Sequence, residues 1–187
     1  QLNKAGHLVV VFERADKIGG ILRYGIPDFK LEKWILDRRI EILKREGIIF
    51  NTGVYAGKGL RAEYFKEEFD AICLATGSGV PRDLNIEGRG LLGIHFAMDY
   101  LIQANKKVNT ELIPSDKLID GSTSLTIDPE RAKRAEWIDA KGKRVVVIGG
   151  GDTGADCVGV AHRQGAKCVV QIELLAKPPE CRTPDYP

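Results

Sequence analysis

The chain has 187 residues, 43% hydrophobic and 29% charged, with 28 Lys and Arg against 26 Asp and Glu. A net charge of +2 gives no electrostatic argument for nucleic acid, and no apolar run reaches the roughly 20 residues that a membrane-crossing helix needs. Residues 1–12 lack the basic region, apolar core and small-residue cleavage site of a secretory signal. The length suits one ordinary domain or two small ones.

The four cysteines, Cys73, Cys157, Cys168 and Cys181, form no C-x-x-C pair, and no Cys/His cluster has zinc spacing, so no metal ligand is assigned. Cys73 falls in an expected strand and Cys157 in an expected helix. Both are read as buried free thiols, which suits a reducing, cytoplasmic compartment. The scattered His7, His95 and His162 carry no chemistry in this reading, and His162 is placed on the surface near a helix end.

Residues 1–7 read as a last helical turn closed by Gly6. Leu8-Val9-Val10-Val11-Phe12-Glu13 is then an apolar strand ending in an acid. That order is the second half of a βαβ dinucleotide unit, in which the acid accepts bonds from ribose hydroxyls. A solvated strand-end acid is the plainer reading of Glu13. The first strand and its glycine loop are expected upstream, and the sequence is accordingly read as a fragment. Gly19-Gly20, followed by Ile21-Leu22-Arg23-Tyr24-Gly25-Ile26-Pro27, makes a loop whose backbone lets a phosphate or a flat ring approach. Leu36, Ile40 and Leu43 recur at helical spacing within a helix over 31–46, and Gly47 is placed to end it. A short strand and turn follow over 48–54. Ala71–Gly77 reads as a buried strand whose small end, Ala75-Thr76-Gly77, marks a ligand crevice.

A composition shift over 78–93, rich in Gly and containing Pro81, sets the expected domain boundary. Residues 1–79 form part of one dinucleotide domain and 80–187 part of another. Residues 96–106 read as an amphipathic helix, and 108–143 as a surface insertion. Arg144-Val145-Val146-Val147-Ile148 is a basic lead and a β-branched run, as in a buried parallel strand. It runs into Gly149-Gly150-Gly151-Asp152-Thr153-Gly154, which fits G-x-G-x-x-G. Gly149 permits the sharp turn, Gly151 lets a pyrophosphate near the backbone, and Gly154 lets the following helix pack closely. The helix runs from about Asp152 to Gln164, stops at Gly165, and leads to a strand over 167–174. The whole is α/β, with two Rossmann-like dinucleotide-binding domains, both incomplete in this chain.

Three stretches in combination carry a family resemblance: Gly19 to Pro27, Ala75-Thr76-Gly77, and Val147 to Cys157. With Lys177-Pro178-Pro179-Glu180 and Arg182 to Pro187, they resemble the small (beta) subunit of NADPH-dependent glutamate synthase. The resemblance spans nearly the whole chain except residues 120–137. It implies an FAD domain with an inserted NADPH domain, and hydride transfer from the nicotinamide to flavin N5. Electrons then leave through iron–sulfur clusters, not ligated by this chain, to the large (alpha) subunit, which makes glutamate. By position, Glu13 would hold the FAD ribose, Gly20 and Leu22 would lie along the FAD pyrophosphate and flavin, and Val54 would approach the adenine by its backbone. Ala75, Thr76 and Gly77 would floor the FAD site, and Gly149, Gly151, Asp152, Thr153 and Gly154 would cradle the NADPH pyrophosphate. Family members often carry Ala where this chain has Gly154, and either residue is expected to fit.

Coenzyme choice is divided. Glu173 at the strand end favours a ribose 2′-hydroxyl, whereas Lys177 and Arg182 suit the 2′-phosphate of NADPH. The chemistry resides in the cofactors, so no catalytic acid, base or nucleophile is nominated. Two alternatives stay open: a related reductase of the ferredoxin or dihydropyrimidine dehydrogenase type, and a non-enzymatic nucleotide-binding fragment.

Overall fold

The computed structural model describes residues 1–111 and 137–176. They belong to two compact units, residues 1–136 and 137–187. Each unit is built on one parallel strand pair. A parallel pair cannot be closed by a tight turn and needs a crossover, usually helical.

In the first unit, a 3-10 turn (Asn3–Ala5) ends at Gly6 with φ 93°, as expected. Strand β1 (Val10–Glu13) pairs with β2 (Ile49–Thr52), from Val10 opposite Ile49 to Glu13 opposite Thr52. Helices α1 (Gly20–Tyr24) and α2 (Lys33–Arg45) lie between them in the chain. In α2, Leu36, Ile40 and Leu43 form a half-buried stripe. Gly47, at φ 99°, ends the helix, and the Gly47 and Ile48 N–H groups donate back to the Lys44 and Leu43 carbonyls.

Helix α3 (Ala62–Glu68) has no counterpart in the sequence reading. Its role is aromatic packing. Phe12 of β1 meets Phe65 and Phe69 edge to face, with ring centroids 5.1 and 5.8 Å apart.

Residues 71–77 depart from expectation. They form no strand, and all are exposed, Leu74 by 84%. A strand exists only where its N–H and C=O groups find a ladder, and among the described residues none pairs with this segment. Cys73 is therefore exposed rather than buried.

The expected helix near 96–106 runs longer, as α4 (Ala97–Glu111), and takes in the start of the expected insertion. It packs on α1. Residues 97–111 thus share the first compact unit, and the units divide at 136/137 rather than at 79/80. Leu101, 1% exposed, is the largest fully buried side chain among the described residues and lies with Ala104 and Tyr100 on this helix.

In the second unit, β3 (Arg144–Ile148), α5 (Asp152–Arg163) and β4 (Cys168–Ile172) form the expected strand–helix–strand unit. Register runs from Arg144 opposite Cys168 to Ile148 opposite Ile172. Cys157, Val160 and Ala161 of α5 are buried, and Val145, Val147 and Val169 of the strands are half-buried. Val146, Ile148, Val170 and Ile172 alternate with them and are exposed. Gly165, at φ 83°, ends the helix, and His162 is exposed one residue before the end of α5. No helix among the described residues is long and apolar enough to cross a membrane.

Burial pushes the Cys157 thiol up to about 11, and the neighbouring Asp156 adds to the shift. At pH 8 it stays a neutral, unreactive thiol. Cys73 and Cys168, both exposed, should therefore be alkylated by a maleimide well before Cys157, which should react only on unfolding. Mass mapping of the labelled peptides checks this; equal labelling of Cys157 in the native protein would contradict its burial.

Candidate functional site

Both strand pairs end at an edge where backbone groups stay accessible, and the second unit has the sharper site. Its three motif glycines are required for three separate reasons. Gly149 has φ 115°, in the left-handed region, and turns the chain out of β3 while its N–H still donates to the Ile172 carbonyl at 2.8 Å. Gly151 is the N-cap of α5, and a Cβ built there meets no atom within 4 Å. The space over its backbone is thus open to a ligand. At Gly154 a Cβ would lie 2.3 Å from the Gly149 carbonyl oxygen and 2.9 Å from Gln171 Nε2. That same carbonyl accepts the Gln171 amide at 2.8 Å. Turn, helix and second strand are pinned at one point, which excludes a side chain. The expectation that Ala would fit as well as glycine at Gly154 is corrected here.

Asp152 and Thr153 occupy the first turn of α5 and are exposed. The first N–H groups of a helix have no intrahelical partner and carry the positive end of the dipole, so this edge suits a phosphate. Glu173 sits just beyond β4. Its carboxylate accepts the Leu174 and Leu175 N–H groups at 2.6 and 3.0 Å. The Leu175 and Leu174 bonds, with a further one from Gly150, hold it below the usual carboxylate range. A Cβ on Gly150 would collide with this carboxylate, so the charge lies directly beside the glycine turn. Lys177 and Arg182, expected to meet a 2′-phosphate, lie outside the described residues.

In the first unit Glu13 is half-buried at the end of β1, where Oε1 accepts the Ala15 N–H at 2.8 Å. A carboxylate has about four acceptor sites, so bonding to a ribose hydroxyl is compatible with that bond. Val54 follows β2, and its N–H donates to the Glu13 carbonyl at 2.9 Å. Its backbone approach to an adenine therefore rests on its carbonyl. Gly20 has φ 50°, and a Cβ there would meet nothing within 4 Å; Leu22, two residues on, is exposed. This is open backbone of the kind found at Gly151. Ala75, Thr76 and Gly77 are exposed and outside any ladder, so they do not form a floor with β1 among the described residues.

The sequence reading missed the polar groups beneath this loop. Arg23, Lys33 and Asn105 are all buried. Arg23 Nε donates to the Ile18 carbonyl and its Nη2 to Asp37, both at 2.5 Å. Lys33 Nζ reaches the Ile26 and Leu31 carbonyls at 2.6 and 2.9 Å and Asp28 at 3.3 Å. Burial lowers the pKa of Lys33, and Asp28 opposes that shift. The Asn105 amide donates to the Tyr24 and Gly25 carbonyls at 3.0 and 3.1 Å. A signal existed for Asn105: with Ala97, Leu101 and Ala104 it falls at i, i+4, i+7 and i+8, a polar residue in an apolar stripe. Among the described residues, no group of three or more His, Cys, Asp or Glu could hold a metal ion.

The 2.3 Å approach at Gly154 predicts that Gly154→Ala destabilises the second unit by about 1–3 kcal/mol through overpacking. Urea unfolding of the purified protein checks it; an unchanged midpoint would mean that the turn relaxes freely.

The family model for pyridine nucleotide-disulphide oxidoreductases matches residues 11–182. The small chain of glutamate synthase [NADPH] from Mycobacterium tuberculosis is 46% identical over 187 residues, which is all of this chain and 35% of that protein. The corresponding protein of Bacillus subtilis is 50% identical over 185 residues, 99% of this chain and 34% of its own length. The chain thus spans about a third of the length of these curated relatives. Among solved structures, Mycobacterium tuberculosis FprA in complex with NADPH aligns with a TM-score of 0.59 at 22% identity, over 87% of this chain and 36% of that one. That likeness shows a shared α/β dinucleotide-binding fold. With most of its residues matched by the family model, the chain belongs to the pyridine nucleotide-disulphide oxidoreductase family.

Proposed function

We propose that this chain is the nucleotide-binding part of a flavoprotein reductase of the glutamate synthase small-subunit type, acting in the cytoplasm. FAD is bound by the first unit and NADPH by the second, and electrons pass to a large-subunit partner that makes glutamate. The observation that carries the reading is the pair of open glycines. Gly20, seven residues after β1, and Gly151, three residues after β3, each present backbone with no atom where a Cβ would lie. Such openings suit the close approach of a pyrophosphate. Glu13 adds an acceptor for the FAD ribose. The names of the relatives support the same assignment.

When bound, the nicotinamide supplies a hydride, and the flavin takes it up with one proton. The residues of this chain bind and orient. Gly149, Gly151 and Gly154 shape the cradle, and the first turn of α5, from Asp152 and Thr153, offers N–H groups to phosphate. Lys177 and Arg182 serve the 2′-phosphate in this reading. Iron–sulfur ligation belongs to residues outside these 187. One observation favours a second reading of the coenzyme: the Glu173 carboxylate beside the turn repels a 2′-phosphate and accepts a 2′-hydroxyl. The ratio of kcat/KM for NADPH and NADH decides between the two.

The test is anaerobic reduction of the natural polypeptide that carries this sequence. NADPH should bleach its visible flavin band. Gly151→Leu fills the open space without touching the fold, so thermal stability should hold while reduction by NADPH slows by about a hundredfold or more. Dithionite should still bleach that variant. A colourless wild-type protein, or a variant reduced at the wild-type rate, would overturn the reading.

A further inference from the structure

We infer that Asn105 is a positioning residue for the flavin: from α4 it holds the Tyr24 and Gly25 carbonyls and so fixes the Gly19–Pro27 loop in the shape that receives the cofactor. The inference rests on the assignment of FAD to the first unit.

Helix α1 has five residues, far fewer than a helix needs to persist alone. The last carbonyls of any helix lack intrahelical partners, and burying them unpaired is costly. In α1 the Tyr24 carbonyl and the Gly25 carbonyl just after it receive their partners from a residue 80 or more positions later in the chain. Asn105 is 4% exposed. An amide has two N–H donors, and Asn105 Nδ2 commits them to these two carbonyls. Gly25 is buried, and a Cβ there would lie 2.7 Å from Ile21 Cγ1 and 3.2 Å from Met98 Cε, so α1 and α4 meet without room for a side chain.

The exposed side of α1 is the one assigned to the ligand. Gly20 is open, and Ile21 and Leu22 are exposed. Asn105 does not reach that side. It acts through the loop, and its loss should be felt in the cofactor more than in the rest of the molecule. One turn along α4, Asn109 Nδ2 donates to the Asn105 backbone carbonyl at 2.7 Å and to Asp28 at 3.2 Å, which ties the helix to the far end of the same loop.

Asn105→Asp keeps the shape and removes the donors, setting a carboxylate against two carbonyl oxygens. Protonation restores one O–H donor, and burial raises the pKa at which this occurs. The experiment measures the FAD dissociation constant of the apoprotein by flavin fluorescence, in the natural polypeptide, together with its NADP+ affinity. FAD binding by the Asn105→Asp variant should weaken by about a hundredfold at pH 8 and recover at least tenfold as the pH is lowered to about 6. Asn105→Ser, smaller and with one donor left, should lose about tenfold with no pH dependence; it serves if the aspartate variant does not fold. NADP+ affinity should be unchanged in both. FAD affinity at the wild-type level in folded variants, an equal loss of NADP+ affinity, or, in a folded aspartate variant, a flat pH profile would overturn the inference and leave the FAD assignment standing. A wild-type protein that takes up no FAD would overturn the assignment itself.

Discussion

Parallel pairing is the constraint on which the rest depends. Strands that run the same way must be joined by a crossover. The crossover returns the chain to the same edge of the pair each time, so the strand C-termini and the following turns collect there. In the second unit the end of β3, the glycine turn, the start of α5 and the end of β4 converge. Gln171 and Gly154 both close on the Gly149 carbonyl. In the first unit Glu13, Gly53 and Val54 gather at the matching edge, where the Gly53 and Val54 N–H groups donate to the Ala15 and Glu13 carbonyls. The edges are candidate sites because the topology leaves backbone there and the glycines leave it bare.

The two edges are stabilised differently. The turn at Gly149 is held by backbone and by one glutamine. The Gly19–Pro27 loop carries a helix too short to hold itself, and buried cationic and amide donors take up its carbonyls. Buried charges are tolerated only when paired and hydrogen-bonded. Arg23 and Lys33 meet that condition through Asp37, Asp28 and the loop carbonyls. Polar groups thus act with the packing of α1 on α4 to fix the shape of this loop.

What was legible in the sequence was local. The β-branched run before Gly149, the helical spacing after it, and the glycines at Gly6, Gly47 and Gly165 each have a reason within a few residues, and each appears where expected. The run at 71–77 has the same composition as a buried strand. Composition cannot supply a ladder partner, and the segment stays exposed. Helix α3 was missed because its cue, Tyr64, Phe65 and Phe69, acquires meaning only through Phe12, some fifty residues earlier. The later division between units has the same origin: α4 is tied to α1 by Asn105, a long-range contact that no change in composition marks. Of the candidate site, the glycines and Glu13 were readable; of the groups that hold the Gly19–Pro27 loop, only Asn105 left a mark, as a polar residue in the apolar stripe of α4.

The central claim is that two separate dinucleotide sites exist, one on each strand pair. Equilibrium titration of the flavin-loaded natural polypeptide with NADP+, followed by measurement of retained flavin, tests it most directly. The account predicts one NADP+ bound per FAD, with the flavin fully retained. Displacement of FAD by NADP+, or no NADP+ bound at any concentration while FAD is retained, would contradict it.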